Sequence, residues 1–362
     1  MVLDDNAERK LQHIDVVLKE DVEGPLTTLL ECVHIPHQAL IDAGPEDVDT
    51  RVKFLGKELS APLIISGMTG GAPGTEKINA ALASIAEEEG LALGVGSQRA
   101  ALENPNLEYT FKVVREIAPT APIIANIGAA EVVKYPPARV LKAVEMIDAD
   151  ALAVHLNLAQ EAAQPEGTPS MRGIIKSLEK LVLESPVPVI VKEVGNGLSK
   201  EVASTLRSVG VKHFDVEGAG GTNWVKVEMY RAMKAGDHVK EGIARNLLTW
   251  GIPTAASIIE VRNAAPDAYI VGSGGIRTAV DAVKAIVVGA DAAGMALPFL
   301  KAYASGRLRE FTKALIHSFR MAVLMTGARN TEELKHLKPI ITPPLTHWVS
   351  ARGLKPGHYL TY

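Results

Sequence analysis

The chain has 362 residues, long enough for one large α/β domain with an extension. Its 42 acidic and 38 basic residues leave a net charge of -4 with no polybasic run, which argues against a nucleic-acid partner. One cysteine, Cys32, excludes an intramolecular disulfide framework and a multi-cysteine metal cluster; that usage, a start lacking the pattern of a signal peptide and the lack of any run near the ~20 apolar residues of a membrane helix point to a soluble cytoplasmic protein.

Residues 1–60 are polar, broken by Gly24-Pro25 and Gly44-Pro45, and read as an N-terminal extension that covers the substrate or contacts another subunit. Within it Arg9, Lys10 and His13 fall within one helical turn and can approach a common anion. From Pro62 apolar runs alternate with helix-period segments, as parallel βα units require. The expected strands are Leu63 to Met68, Leu91 to Val95, Ile123 to Ile127, Leu152 to Leu156, Val189 to Val194, His213 to Val216, Tyr269 to Gly272 and Ala292 to Ala296. Eight such units over residues 61–330 predict a (β/α)8 TIM barrel, an α/β fold.

Between strands 6 and 7, Thr254 to Ala264 reads as the crossover helix. The preceding Gly218 to Pro253 is too long for an ordinary loop and is expected to cover the active site or form a contact surface. Phe311 to Met325 gives a closing helix, and residues 331–362 a tail packing on the barrel, Pro-rich from Pro339 to Tyr362.

Polar residues at the C-terminal ends of barrel strands belong to sites. Strand 1 runs into Gly67-Met68-Thr69-Gly70-Gly71, small enough for backbone to lie against a flat ring. Strand 2 ends in Ser97-Gln98-Arg99, strand 3 presents Asn126, strand 4 carries His155, Asn157, Gln160 and Glu161, strand 5 ends in Lys192, and strand 6 opens into a glycine-rich run with Thr222. After strands 7 and 8, Gly274-Gly275-Ile276-Arg277 and Ala296-Leu297 are placed to hold a phosphate at helix N-termini.

These groups suit a ligand with two ends. Arg99, His155 and Asn157, with Arg9 and Lys10 if the extension folds over, offer donors to a diphosphate. Glu161 is the lone carboxylate among them, the arrangement by which magnesium is held with phosphate and water; its bland alternative is an ion pair with Arg99. Lys192 is placed to set the charge beside a flavin whose phosphate lies at the strand 7 and 8 loops.

Gly67-Met68-Thr69-Gly70-Gly71, Ser97-Gln98-Arg99, His155-x-Asn157-x-x-Gln160-Glu161, Gly221-Thr222-Asn223-Trp224 and Arg9-Lys10-x-x-His13 together resemble the type 2 isopentenyl diphosphate isomerases, over residues 8–330. The resemblance implies an FMN barrel that needs reduced flavin and Mg²⁺, with NADPH as reductant. It also implies interconversion of isopentenyl and dimethylallyl diphosphate for isoprenoid biosynthesis, and a homo-oligomer, tetramer or octamer. It puts FMN at Gly67, Met68, Thr69, Ser97, Asn126, Lys192, Thr222, Gly274, Gly275, Arg277, Ala296 and Leu297. Substrate falls to Arg9, Lys10, Ser97, Gln98, Arg99, His155, Asn157 and Gln160, and metal to Glu161. Gln160, Lys192 and His155 are the expected catalytic groups, with reduced flavin as acid and base and no net redox change. Two other readings stand beside this one. A 2-hydroxy-acid oxidase of the same barrel class is disfavoured because the run Glu217 to Thr222 lacks that class's His-Gly-Gly-Arg pattern. A non-catalytic phosphate-binding barrel leaves the polar groups at so many strand ends unexplained.

Overall fold

Eight parallel strands close into a barrel in the computed structural model, which describes residues 5–358. They are β1 (Leu63–Ile65), β2 (Ala92–Gly94), β3 (Ile123–Gly128), β4 (Ala151–His155), β5 (Val189–Lys192), β6 (His213–Asp215), β7 (Tyr269–Gly272) and β8 (Ala292–Met295). Each pairs with the next in sequence, and β8 returns to β1 with Gly294 opposite Ile64. This is the expected barrel. Several strands stop short of their apolar runs for local reasons. β5 ends at Lys192 because the Glu193 carboxylate accepts the N–H groups of Val194 at 2.8 Å and Gly195 at 2.9 Å, which bends the chain out of the ladder.

The helices that matter for the site are α1 (Asp5–Lys19), α2 (Leu158–Ala163), α3 (Trp224–Ala235), α4 (His238–Leu247), α5 (Thr254–Ala264), α6 (Leu297–Ala304), α7 (Leu308–Met325) and α8 (Leu345–Ala351). The expected crossover helix and closing helix correspond to α5 and α7. The long segment after β6 is folded into α3 and α4.

The two-residue period of a strand decides which side chains point into the barrel. Ile64, Ala92, Ile124, Ala153, Ile190, Val271 and Ala292 form an inner apolar layer, and Phe54 and Leu59 from a short hairpin close it at the bottom. Two residues further along the same strands, the inward positions become Ser66, Gly94, Asn126, His155, Lys192, Asp215, Ser273 and Gly294. The apolar core therefore gives way to a polar floor at the C-terminal mouth.

The extension lies across that mouth. α1 packs against α3, with Val16 and Val17 buried and the His13 and Trp224 rings edge to face at 5.1 Å. Beyond α1 the chain crosses the strand 6 and 7 loops: Asn223 N donates to Val22 O at 2.8 Å, and Ala255 N donates to Thr28 O at 2.9 Å. At the other end, Ile340–Ile341 pairs with Val33–His34, and α8 is fastened by Trp348 Nε1 donating to Glu260 at 2.9 Å. Residues 359–362 of the expected tail lie outside the described residues.

Candidate active site

The mouth of the barrel encloses a cavity of about 730 Å³, within the range of cofactor and ligand sites. Arg9, Lys10, Gly67, Met68, Thr69, Ser97, Arg99, Asn126, His155, Asn157, Gln160, Glu161, Lys192, Thr222, Gly274, Gly275, Arg277, Ala296 and Leu297 all line it. Residues spread over the whole chain thus meet around one space.

Gln98 does not reach the cavity, which corrects its placement among the substrate contacts. Fully buried, it donates from Nε2 to Ala143 O at 2.8 Å and accepts Asn126 N at Oε1, 2.9 Å. It is a strut between the strand 2 and strand 3 loops, pointing away from its neighbours Ser97 and Arg99.

The glycines at the rim also have a packing role. A Cβ on Gly67 would lie 2.2 Å from Val95 O, and one on Gly274 (φ +93°) 2.1 Å from Gly218 O. Both are required for neighbouring strand-end loops to pack backbone to backbone. The packing brings strand ends 1 and 2, and 6 and 7, into one rim.

One half of the cavity is cationic. Arg9, Lys10, Arg99 and His155 converge there, with Glu131, Glu161 and Glu166 around their edge. Desolvation in the cavity, reinforced by the charges of Arg9 and Arg99, brings the Lys10 ammonium down to about 8. Burial, with Lys192 and Lys10 nearby, holds the His155 imidazole at about 3, so it is neutral. Its tautomer follows from its partners: Asn126 Nδ2 donates to Val95 O at 2.9 Å, so Oδ1 faces His155 Nδ1 at 2.9 Å and accepts its proton. Nε2 is left as a lone pair.

This half suits an anion, since a polyanion bound there would favour the charged forms of Lys10 and His155. Affinity for inorganic pyrophosphate is accordingly expected to fall above about pH 8, by up to about tenfold per pH unit. Calorimetric titration from pH 7 to 9.5 measures this. Lys10→Met should bind more weakly and lose the part of the fall that begins near pH 8, and a wild-type profile that is itself flat would contradict the assignment.

Glu161 is not paired with Arg99. Arg99 Nε lies 3.3 Å from Glu103 and 3.4 Å from Glu131, whereas Glu161 accepts Asn157 Nδ2 and Thr168 N, each at 3.0 Å. No group of three His, Cys, Asp or Glu side chains among the described residues is arranged to hold a metal. A cation at Glu161 therefore needs oxygen ligands from a bound phosphate and water.

The other half fits a flavin. Thr69 Oγ1 is buried, lines the cavity and has no hydrogen-bond partner. α6 begins at the rim with an N-cap, Ala296, that supplies no side-chain cap, leaving first-turn N–H groups for a phosphate. Arg277 lines the same corner, but its Nε already donates to Glu23 at 2.8 Å, so its charge is shared with the extension. In the floor, Lys192 contacts Glu217 and donates to Glu193 O at 2.8 Å. Burial works against the Lys192 ammonium, but Glu217 and Asp215 outweigh it and raise its pKa.

Sequence reasoning missed Glu228. Fully buried on α3, it accepts His13 Nε2 at 2.9 Å and Gln160 Nε2 at 3.0 Å, and pairs with Arg231 at 2.6 Å. Burial disfavours its charge, yet the hydrogen bond from His13, whose own pKa burial lowers, and the charge of Arg231 hold the carboxyl down at about 2.

The family of FMN-dependent dehydrogenases matches residues 135–339. Isopentenyl-diphosphate delta-isomerases from Ignicoccus hospitalis and Aeropyrum pernix are 48% and 47% identical to the chain, covering 97% and 98% of it and 98% and 95% of their own lengths. The chain belongs to the type 2 isopentenyl-diphosphate delta-isomerase family. Among solved structures, a mandelate oxidase with an FMN adduct is similar at a TM-score of 0.63, with 15% identity over 93% of this chain and all of that one. At that identity the likeness concerns the barrel alone. This isomerase is FMN-dependent, and none of its described helices is long and apolar enough to cross a membrane.

Proposed function

We propose that this isomerase interconverts isopentenyl and dimethylallyl diphosphate in the barrel-mouth cavity, with reduced FMN and Mg²⁺. The observation that carries the reading is that one cavity is lined both by Arg9, Lys10 and Arg99 and by the flavin-compatible groups Thr69, Gly274, Gly275 and Ala296. Thr69, the uncapped start of α6 and the Gly274-Gly275 turn would hold FMN. Reduced FMN supplies an electron-rich ring and an exchangeable proton, which suits moving a double bond through a tertiary cation with no net redox change.

The chain's own residues bind, orient and exclude water. Arg9, Lys10, Arg99 and Asn157 receive the diphosphate. His155 joins them by taking a proton at Nε2, while Asn126 keeps Nδ1 as a donor. Glu228 accepts the amide hydrogen of Gln160, so Gln160 Oε1 is free to face the alkene or accept a proton. α1 places Ile14 and Val17 over the hydrocarbon end and shields it from solvent. NADPH as reductant, a homo-oligomeric assembly and a cytoplasmic location belong to the same reading and rest on the family resemblance.

Proton transfer leaves an isotopic record. In D₂O with reduced FMN, deuterium is expected in the methyl groups of dimethylallyl diphosphate while the reduced flavin is conserved. Stoichiometric flavin oxidation without deuterium uptake would favour hydride transfer and sink the proposal. Glu161→Gln is expected to raise the Mg²⁺ requirement at least about tenfold. An unchanged Mg²⁺ titration would remove Glu161 from the metal site.

A further inference from the structure

The loop after β6 carries a carboxylate that flavin binding does not call for. Glu217 holds φ +31°, a backbone conformation in which side chains are rare and glycine is at ease. From there its carboxylate contacts Lys192 Nζ. Lys192 also lies opposite Asp215 in the β5–β6 register, and Asp215 is hydrogen-bonded by Ser273 Oγ. Lys192 is the one cation in the inward polar layer, so two carboxylates neutralise it before any ligand binds. The Glu193 carboxylate makes no direct contact with Lys192, being turned to the N–H groups of its own loop, while its backbone carbonyl accepts from Lys192 Nζ at 2.8 Å.

A positive charge beside a flavin favours the reduced, anionic ring, and a carboxylate paired with that charge withdraws the benefit. We infer that Glu217 is a positioning residue that holds Lys192 in an ion pair and thereby lowers the site's preference for reduced over oxidised FMN. Resting on the FMN reading above, the inference makes the flavin's poise a property of the strand 6 loop.

The test is the midpoint potential of FMN bound to the full-length protein, measured anaerobically against a reference dye for wild type, Glu217→Gln and Glu217→Gly. The glutamine keeps the side chain's size without its charge. The glycine also relieves the backbone at this positive φ, which offsets part of the cost of losing the ion pair. Both variants are expected to gain at least fivefold in preference for reduced FMN, about 21 mV more positive for a two-electron couple. A gain below fivefold in either variant overturns the inference while leaving the FMN reading intact. A wild-type protein that takes up neither flavin form overturns that reading itself.

Discussion

Glu228→Ala is expected to cost about 3–5 kcal/mol of stability and to lower turnover roughly a hundredfold. The stability loss comes from leaving Arg231 and His13 buried against a gap where a carboxylate had satisfied both. The turnover loss has a separate origin. Gln160 loses the acceptor that orients its amide, and α1 loses its buried polar tie to α3 through His13, keeping Gln12 to Arg231, so Arg9 and Lys10 are placed less accurately. Denaturant unfolding and steady-state kinetics measure the two effects. Glu228→Gln, which keeps the shape, should recover part of the stability and less of the turnover. The Glu228 pKa is depressed, so its contribution is complete above about pH 4.5 and disappears as the pH falls toward 2. Alanine without cost in either measurement would show that the network neither tethers the extension nor sets Gln160.

Lys192→Met is expected to be the other severe change, at about 3–5 kcal/mol, and its cost should depend on pH. Removing the ammonium leaves Asp215 and Glu217 facing each other with no counter-ion. Burial, opposed by Lys192, already raises the Asp215 carboxyl to about 6. A raised carboxyl pKa favours the fold while the group stays protonated, and the benefit is lost as the pH climbs through that value. Without Lys192 the pKa rises further and the loss extends above pH 6. Thermal melts should therefore show the variant closer to wild type at pH 5.5 than at pH 8. A pH-independent difference would mean that Lys192 contributes packing and not charge.

The barrel was legible because each strand is an apolar run ended by small or polar residues, and residues at strand ends share a rim by topology alone. Direction within a short run was less legible. Ser97, Gln98 and Arg99 are consecutive, yet only the outer two face the cavity, because the middle amide is drawn to Ala143 O and Asn126 N on neighbouring segments. Glu228 was hidden for a different reason. It sits on a helix outside the βα rhythm, and its partner His13 is 215 positions away, so neither helix periodicity nor local spacing points to it. Asp215 and Ser273 were within reach: the same two-residue step that carries Ile190 to Lys192 carries His213 to Asp215 and Val271 to Ser273. Glu217 read as part of a glycine-rich turn, and its role shows only in the contact it makes.

The most direct measurement is anaerobic incubation of the purified protein with isopentenyl diphosphate, Mg²⁺ and FMN in either oxidation state. Dimethylallyl diphosphate should appear with reduced FMN alone and reach equilibrium without consuming the reductant. Equal conversion with oxidised FMN or with no flavin would contradict the claim that this cavity joins a reduced flavin to a diphosphate-anchored alkene.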